Sequence, residues 1–525
     1  MKPSFVIRGG TVFDGAAPRG SFADVRVDEG VITAIGSSVP ADGAATIDAR
    51  DGWVTPGFID AHSHCDLASL SGHEMQVRAR AGITTEIVGQ DGLGFAPAVG
   101  PARDLMAEVL APITGESPPA EWARVSDYLQ SVDAGSFARV ATLVPHGAVR
   151  AAVMGHASRA ATPRERVAMA RMVTDAMIEG AVGVSTGLSY PPALWSDIDE
   201  LVDITAAMPT GKGRYVTHLR DYGHGFDAAV DEALEVGRRN GRPVHLSHFH
   251  VSGPGRAGSA SRYLATMRAA AASGLNLTWD SYPYTVACTF LTTVLPADLQ
   301  GRDGRTLARD LRDPVERDAT AERIDRCGPG PTVAVGWDNV FLAGLDGTSL
   351  AKWNGRAVAA VADDAGTTSG RVVVDTICRL EGQACILVAQ GHTDNVLAIA
   401  NGNEHVVGSD GIPGSGVPHP RAGGSFLRFL RWARDGLLDA PVGQMVARMS
   451  GRTARLFGLP VGRLSVGARA DLLIVDPQAL SDGPDVGPYV PDAVRHSFLD
   501  GEPVIDDGRW LAPRLPGLAL RGAIP

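Results

Sequence analysis

Two histidines one residue apart, His62 and His64, end the short run Gly57-Phe58-Ile59-Asp60-Ala61. In an extended chain, side chains at positions i and i+2 point to the same face. Both imidazoles can therefore aim at one point, which is the arrangement that a bound metal ion needs. The spacing also occurs by chance in solvated loops, so this pair alone leaves both interpretations open.

Other candidate ligands stand at the carboxyl ends of further predicted strands. The apolar runs predict eight strands, at residues 57–64, 84–89, 140–146, 181–187, 214–219, 243–249, 276–282 and 404–410. Asp91 follows the second strand. His218, His248 and Asp410 end the fifth, sixth and eighth strands. Histidines with unrelated structural roles would not collect at one end of the strands, so the set favours a metal site.

The elements that would position these residues alternate between apolar strands and helical segments. Eight such units predict an α/β fold with a parallel (β/α)8 barrel, in which active sites lie at the carboxyl ends of the strands. A doubly wound open sheet is the alternative. His146 and His245 lie on these strands as well. His146 either supports the site or makes a structural hydrogen bond, and His245 faces away from His248.

Both chain ends have a different pattern of predicted secondary structure, with short strands and turns in place of alternating strands and helices. Short strands separated by glycine-rich turns fill residues 3–55, and another turn and strand occupy 461–476. We predict a small β-sandwich from residues 1–55 plus 458–525, and a barrel from 56–457. The alternation fails between about 285 and 352, which predicts an insertion after barrel strand seven that covers the site.

Composition narrows the class of partner. The 525 residues carry a formal net charge of −11, which argues against nucleic acid or an anionic membrane surface. No apolar run is long enough for a transmembrane helix, and the N-terminus lacks a signal-peptide core. The five cysteines show no CxxC spacing, so reduced thiols and a cytoplasmic location are expected.

The residue types favour hydrolysis. Four histidines and two carboxylates suit zinc. A metal ion lowers the pKa of a bound water from ~15.7 to ~7, and a nearby carboxylate can move the proton to a leaving nitrogen. Asp410 suits that role because Gly408 and Gly411 leave it in a tight, open turn.

These motifs resemble the amidohydrolase superfamily, and in particular its D-aminoacylase branch, the N-acyl-D-amino-acid deacylases. The superfamily resemblance rests on residues 57–66 and on 467–472. The branch resemblance rests on residues 184–192, 217–221, 246–248, 408–411 and 419–421. In total the similarity runs from about residue 5 to residue 476.

The resemblance implies a barrel with a split β-sandwich and zinc-dependent amide hydrolysis with one or two Zn²⁺ ions. It places a tight metal site on His218 and His248, with a third ligand after strand two. It places a weaker site on His62, His64 and Asp410, with Asp410 as the catalytic base. Tyr190 and Arg421 match positions that hold the substrate carboxylate.

Two positions depart from the branch. Asp91 stands where the branch has cysteine, and this harder oxygen ligand makes Mn²⁺, Fe²⁺ or a two-metal site possible. Alternatively, Asp91 only caps the following loop. His250 replaces a lysine that contacts the substrate carboxylate, so carboxylate binding should be weaker or pH-dependent.

The lysine content separates this chain from similar enzymes. Hydantoinases and dihydroorotases bridge two metals with a carboxylated lysine after strand four. Here lysine occurs only at positions 2, 212 and 352, and because none lies between Lys2 and Lys212, that bridge cannot form.

We therefore predict a cytoplasmic, metal-dependent enzyme that removes the acyl group from N-acyl-D-amino acids or related small N-acyl compounds, with Tyr190, His250 and Arg421 binding substrate. The alternatives are another superfamily hydrolase, of cyclic amides, ureas or lactones, and a catalytically silent binding protein. The oligomeric state, monomer or homo-oligomer, stays open.

Overall fold

The computed structural model describes residues 2–522, apart from 116, 301, 303, 331, 332 and 413–418. Within these residues the strands are, in chain order, β1 (Phe5–Val12), β2 (Ser21–Asp28), β3 (Val31–Gly36), β4 (Ala45–Asp48), β5 (Trp53–Pro56), β6 (Phe58–Asp60), β7 (Ile83–Val88), β8 (Arg139–Thr142), β9 (Val144–Pro145), β10 (Val184–Gly187), β11 (Tyr215–His218), β12 (Val244–Leu246), β13 (Leu277–Ser281), β14 (Val286–Phe290), β15 (Val340–Ala343), β16 (Cys385–Ala389), β17 (His405–Val407), β18 (Leu472–Val475), β19 (Val494–Leu499), β20 (Glu502–Asp506) and β21 (Arg509–Trp510).

The α-helices of the same described part are α1 (Ala68–Ser71), α2 (Met75–Arg80), α3 (Pro101–Thr114), α4 (Val125–Ala134), α5 (His146–Met154), α6 (Pro163–Ile178), α7 (Ile198–Ala206), α8 (Phe226–Asn240), α9 (Ala260–Ala272), α10 (Ala297–Gln300), α11 (Gly304–Asp310), α12 (Pro314–Cys327), α13 (Val358–Ala365), α14 (Ser369–Leu380), α15 (Thr393–Ala400), α16 (Arg421–Arg434), α17 (Val442–Met449) and α18 (Gly451–Phe457). None of them is long and apolar enough to cross a membrane.

The central strands form a closed parallel barrel. Strands β6-β7-β8 make one parallel group, and β9-β10-β11-β12-β13-β17 make the other. A single residue, Leu143, separates β8 from β9, so these two segments act as one strand. The first and last strands meet through hydrogen bonds from Ala61 N to Val407 O at 3.2 Å and from Asp410 N to His62 O at 2.9 Å. The predicted (β/α)8 barrel is confirmed.

Residue type explains why these strands and helices form a barrel. Strand β7 is buried at every position, as expected for a parallel strand covered on both faces. Helix α8 presents an apolar stripe that includes Phe226, Val230 and Leu234 to the core, and its opposite face is polar. Gly241 ends that helix with a left-handed φ of 68°, which glycine adopts without strain. The helices therefore pack around the strands and hold the strand ends in place.

Both chain ends contribute to one further sheet of nine strands. Its order is β21-β20-β19-β18-β5-β1-β2-β3, with β4 on β1, as expected for a unit built from both ends. Arg139 of β8 joins this sheet to the barrel, because its Nε lies 2.6 Å from Asp471 Oδ2 and its Nη2 2.5 Å from Asp500 Oδ1. The division at 55/56 and 457/458 stays a prediction.

After barrel strand β13 the chain builds a small antiparallel sheet, β14-β16-β15. This sheet has its own apolar core with α12, α13 and α14, formed among others by Leu342, Val373 and Ile386. It extends from Val286 to Ala389 and thus uses residues on both sides of position 352, the predicted end of the insertion. Its β14 face lies against the open end of the barrel.

Candidate metal centre

Asp91 lies among four histidines at the carboxyl end of the barrel. Its Oδ1 is 3.5 Å from His62 Nε2 and 3.6 Å from His248 Nε2. Its Oδ2 is 3.6 Å from His64 Nε2 and 3.8 Å from His218 Nδ1. Each carboxylate oxygen therefore faces one histidine of the first strand and one of the later strands.

The predicted ligands form two groups that share Asp91. One group is His62, His64, Asp91 and Asp410; the other is Asp91, His218 and His248. Within each group, ligand atoms lie within 4.8 Å of one another. Asp410 Oδ1 is 3.2 Å from His64 Nε2, and His218 Nδ1 is 2.9 Å from His248 Nε2. The structure thus brings all six predicted ligands together.

Three of these residues have a backbone that side chains usually avoid. The φ angles are 56° at Asp91, 31° at His248 and 51° at Asp410. Non-glycine residues rarely take positive φ, and such positions concentrate at functional sites. Gly187 allows the Asp91 conformation, because a Cβ there would clash with the Asp91 carbonyl oxygen.

The donor set fits a divalent cation. His62 Nδ1, His62 Nε2 and Asp91 Oδ1 are buried, and none has a hydrogen-bond partner among the described residues. Burial opposes charge on His62, yet Asp91 and Asp280 raise its pKa well above the usual value. The cluster therefore stabilises positive charge at this point. Imidazole nitrogens and carboxylate oxygens at such spacing suit zinc and similar ions.

The pKa shifts of His218 and His64 have opposite directions. Burial lowers the pKa of His218 to about 3, so this imidazole is neutral and can act as a ligand. Burial also opposes charge on His64, but Asp410 and Asp91 raise its pKa to about 9. Burial would raise the pKa of Asp410, but the Arg421 charge and the His64 hydrogen bond hold it well below its usual value. Asp410 is thus an ionised carboxylate.

Three residues that support these ligands were not predicted from the sequence. Ser189 Oγ lies 2.6 Å from His218 Nε2, and Tyr222 hydroxyl lies 3.1 Å from His248 Nδ1. Asp280 of β13 accepts the His248 backbone N–H at 2.9 Å. An aspartate in the middle of an apolar strand was the available signal for Asp280, whereas Ser189 and Tyr222 carry none.

The other two histidines on the predicted strands, His146, which was left open, and His245, expected to face away from His248, have buried carboxylate partners. His146 Nε2 is 2.8 Å from Glu200 Oε1, away from the ligand cluster. His245 Nε2 is 2.9 Å from Asp280 Oδ2, and its Nδ1 is 2.7 Å from Thr278 Oγ1. His146 therefore has a structural hydrogen bond, while His245 contacts a residue that reaches the site.

A buried ion network lies beneath the first and last barrel strands. Asp60 Oδ1 accepts N–H groups from His62 at 3.1 Å and from Ser409 at 2.8 Å. Its Oδ2 pairs with Arg78, which also pairs with Glu86 and donates to Ser409 Oγ at 2.8 Å. The backbone positions next to Asp410 and at His62 are thus fixed by one carboxylate.

The three predicted substrate-binding residues line the cavity over the cluster. Arg421, at the start of α16, places Nη1 2.7 Å from Asp410 Oδ2, so its guanidinium is already paired with the predicted base. Tyr190 hydroxyl is 3.1 Å from Thr289 Oγ1. Burial lowers the pKa of His250 to about 3, which makes this side chain neutral.

This cavity has an empty volume of about 870 Å³, part of it open to solvent. The predicted ligands and Arg421 form the side that the barrel provides. The opposite side belongs to the small antiparallel sheet and is mostly apolar, with Val286, Cys288, Phe290 and Val388. A ligand that reaches the cluster therefore contacts a polar floor and an apolar wall.

A parallel barrel with histidines and carboxylates clustered at its carboxyl end is the arrangement of metal-dependent barrel enzymes. Comparison with known proteins agrees. The Amidohydrolase family profile matches residues 45–311. The D-aminoacylase of Alcaligenes xylosoxydans xylosoxydans is 32% identical over 481 residues, covering 91% of this chain and 89% of the relative. The N-acyl-D-glutamate deacylase of the same organism is 33% identical over 486 residues, covering 92% and 89%.

A solved structure is similar over nearly its whole length. The N-acyl-D-glutamate deacylase from Bordetella bronchiseptica, complexed with zinc and a phosphonate inhibitor, has a TM-score of 0.82 and 30% sequence identity, with coverage of 99% of this chain and 100% of that one. The chain belongs to the amidohydrolase family, in the branch of the N-acyl-D-amino-acid deacylases. The predicted family and enzyme class, a hydrolase of carbon–nitrogen bonds outside peptides, are confirmed.

Proposed function

We propose that this enzyme hydrolyses the amide bond of N-acyl-D-amino acids and releases a carboxylic acid and a D-amino acid. The proposal assigns metal binding to His62, His64, Asp91, His218, His248 and Asp410. It assigns the general base to Asp410 and substrate binding to Tyr190, His250 and Arg421. The relatives named D-aminoacylase and N-acyl-D-glutamate deacylase support it, as does the zinc-containing structure of the latter.

The observation that carries the proposal is the position of Asp91. Each of its oxygens faces a histidine of both groups, so Asp91 would contribute to holding a cation in either group. Zinc bound to these residues would polarise the amide carbonyl and lower the pKa of water to ~7. Because Asp91 supplies oxygen where thiolate is usual in the branch, Mn²⁺ or Fe²⁺ would also fit.

Asp410 is placed to move the proton. It is ionised and buried, and it lies next to the two histidines of the first strand. A carboxylate there takes the proton of the attacking water and returns it to the leaving nitrogen. Arg421, paired with Asp410 Oδ2, keeps that oxygen fixed while Oδ1 faces the cluster.

Substrate recognition depends on Arg421 more than on His250. The guanidinium Nε and Nη2 have no hydrogen-bond partner in the described part of the chain, so they are free to hold a carboxylate as a fork. His250 is neutral and contributes hydrogen bonding but no charge. The apolar wall contacts the acyl group or the side chain of the amino acid.

The test is turnover of paired N-acetyl-D- and N-acetyl-L-amino acids by enzyme of measured metal content, with side chains varied. We expect D-selective acetate release that stops when a chelator removes the metal and resumes when Zn²⁺ is returned. Hydantoin and dihydropyrimidine substrates serve as the second arm. Hydrolysis of these cyclic amides alone, or of none of the substrates by metal-loaded protein, would refute the proposal.

We also propose a cytoplasmic location and a small molecule as the partner. All five cysteines are free of disulfides, which suits a reducing compartment. The acidic net charge of −11 suits neither nucleic acid nor an anionic membrane.

A further inference from the structure

Asp280 is a buried carboxylate that the proposed chemistry leaves without a role. It lies on β13, the seventh barrel strand, and is fully buried. The six proposed ligands come from other elements. A buried charge costs free energy unless it is paired and hydrogen-bonded, so its partners indicate what it does.

The two oxygens of Asp280 face two different histidines of the proposed metal centre. Oδ1 accepts the backbone N–H of His248 at 2.9 Å, at the residue whose φ is 31°. Oδ2 faces His62 Nδ1 at 3.6 Å and pairs with His245 Nε2 at 2.9 Å. One carboxylate therefore touches a histidine from each of the two ligand groups.

The orientation of Asp280 is fixed by a short chain of hydrogen bonds. Asp280 Oδ2 is ionised and can only accept, so the neutral His245 carries its proton on Nε2 and donates it to this oxygen. His245 Nδ1 is then an acceptor for the hydroxyl of Thr278, two residues earlier on the same strand and 2.7 Å away. Gly408 provides the necessary room, because a Cβ there would clash with both Asp280 Oδ1 and His62 Cβ.

We propose that Asp280 is a positioning residue that holds His62 and His248 in register, so that both metal positions form together. Its Oδ2 attracts the Nδ1–H of His62 and turns Nε2 toward Asp91. Its Oδ1 holds the left-handed backbone of His248. Carboxylates behind metal-binding histidines fix the ring and strengthen the ligand. Asp280 differs from a simple pair of this kind because it acts on two histidines from different strands.

This inference rests on the metal centre of the proposed function, and its test uses Co²⁺ alone, without substrate. Metal-free enzyme and its Asp280→Asn variant are titrated with Co²⁺, and affinity and visible absorption are recorded. Asparagine keeps one oxygen but loses the charge and the second acceptor. We expect Co²⁺ affinity to fall by about 10- to 100-fold and the absorption bands to shift.

The matched control is Glu200→Gln. Glu200 is also a buried carboxylate paired with a histidine, His146, but it does not contact the ligand cluster. We expect this control to lower the melting temperature while leaving Co²⁺ affinity and spectrum unchanged. A merely structural Asp280 would behave in the same way as the control.

A milder variant keeps the inference testable if Asp280→Asn does not fold. Thr278→Val removes the hydroxyl that orients His245 and should lower Co²⁺ affinity by about threefold, the scale of one weakened hydrogen bond. Wild-type affinity and spectrum in folded Asp280→Asn, or in Thr278→Val where that variant alone folds, would overturn the inference. Normal Co²⁺ binding by the wild-type enzyme without turnover of any N-acyl-amino acid would instead count against the proposed function and leave this inference intact.

Discussion

The two sides of the cavity are built in different ways. On the barrel side, the proposed ligands have hydrogen-bond partners of their own, Ser189 for His218 and Tyr222 for His248. On the side of the small antiparallel sheet, Val286 and Val388 present hydrocarbon to the cavity.

We infer from this difference that the barrel side carries out the reaction and that the sheet side selects the substrate. Polar groups at fixed positions determine what reaction occurs, because proton transfer and charge stabilisation depend on geometry of a few tenths of an ångström. Apolar contacts depend on volume and tolerate exchange. Substitutions on the barrel side should therefore change kcat or metal binding, and substitutions on the other side should change KM.

The largest effect is expected for Asp410→Asn. The variant keeps the shape but cannot take a proton, so kcat should fall by at least ~100-fold, the scale of a lost general base. Metal content, measured in parallel, should stay close to that of the wild type. Wild-type kcat in this variant would show that Asp410 is not the general base, and the barrel side would then lack the catalytic group assigned to it.

Asp91→Cys tests whether the oxygen ligand determines the choice of metal. Thiolate is softer than carboxylate, so the ratio of Zn²⁺ to Mn²⁺ affinity should rise by about 10- to 100-fold. Competition titrations against a chelator measure both affinities. Unchanged selectivity would mean that Asp91 is not a ligand and only caps its loop.

The His250→Lys variant tests how much weaker the substrate carboxylate binds to the neutral imidazole than to a lysine ammonium. A buried ammonium can make a charge-assisted hydrogen bond, so KM for N-acetyl-D-amino acids should fall by about tenfold. The corresponding carboxamide substrates, which lack the charge, provide the control. An equal change for both series would show that His250 does not face the carboxylate.

Val388→Ala is expected to have the smallest effect. The substitution removes two methyl groups, and loss of the substrate contact of one of them, ~0.8 kcal/mol, should raise KM about fourfold for substrates with long apolar groups. The kcat should not change. Val373→Ala, in the core of the insertion, is the matched control and should lower the melting temperature without a change in KM. A fall in kcat for Val388→Ala would contradict the proposal that the sheet side affects only substrate binding.

The barrel and its ligand positions could be predicted because both have local signals. The strands are buried on both faces and read as short apolar runs, and a parallel barrel gathers their carboxyl ends. His62, His248 and Asp410 could therefore be placed near one another from strand position alone. The match to the amidohydrolase family confirms the predicted class.

Contacts that join distant segments had no such signal. Strand β14 pairs with β16, nearly a hundred residues later, so the insertion sheet could not be bounded from local alternation. The ion pair between Arg421 and Asp410 depends on how α16 enters the barrel end. Asp280 was missed because a single aspartate in a strand does not indicate which histidines it will meet.

The hydrogen bonds of Asp60 have a consequence for folding. Asp60 and Ser409 are 349 residues apart in the chain, and their pairing closes the barrel at the point where the metal ligands meet. Closing a contact of such long sequence separation costs loop-closure entropy, which slows folding. A cation bound across this seam would stabilise the closed barrel by mass action. Metal supply during synthesis would then influence the yield of folded enzyme as well as its activity.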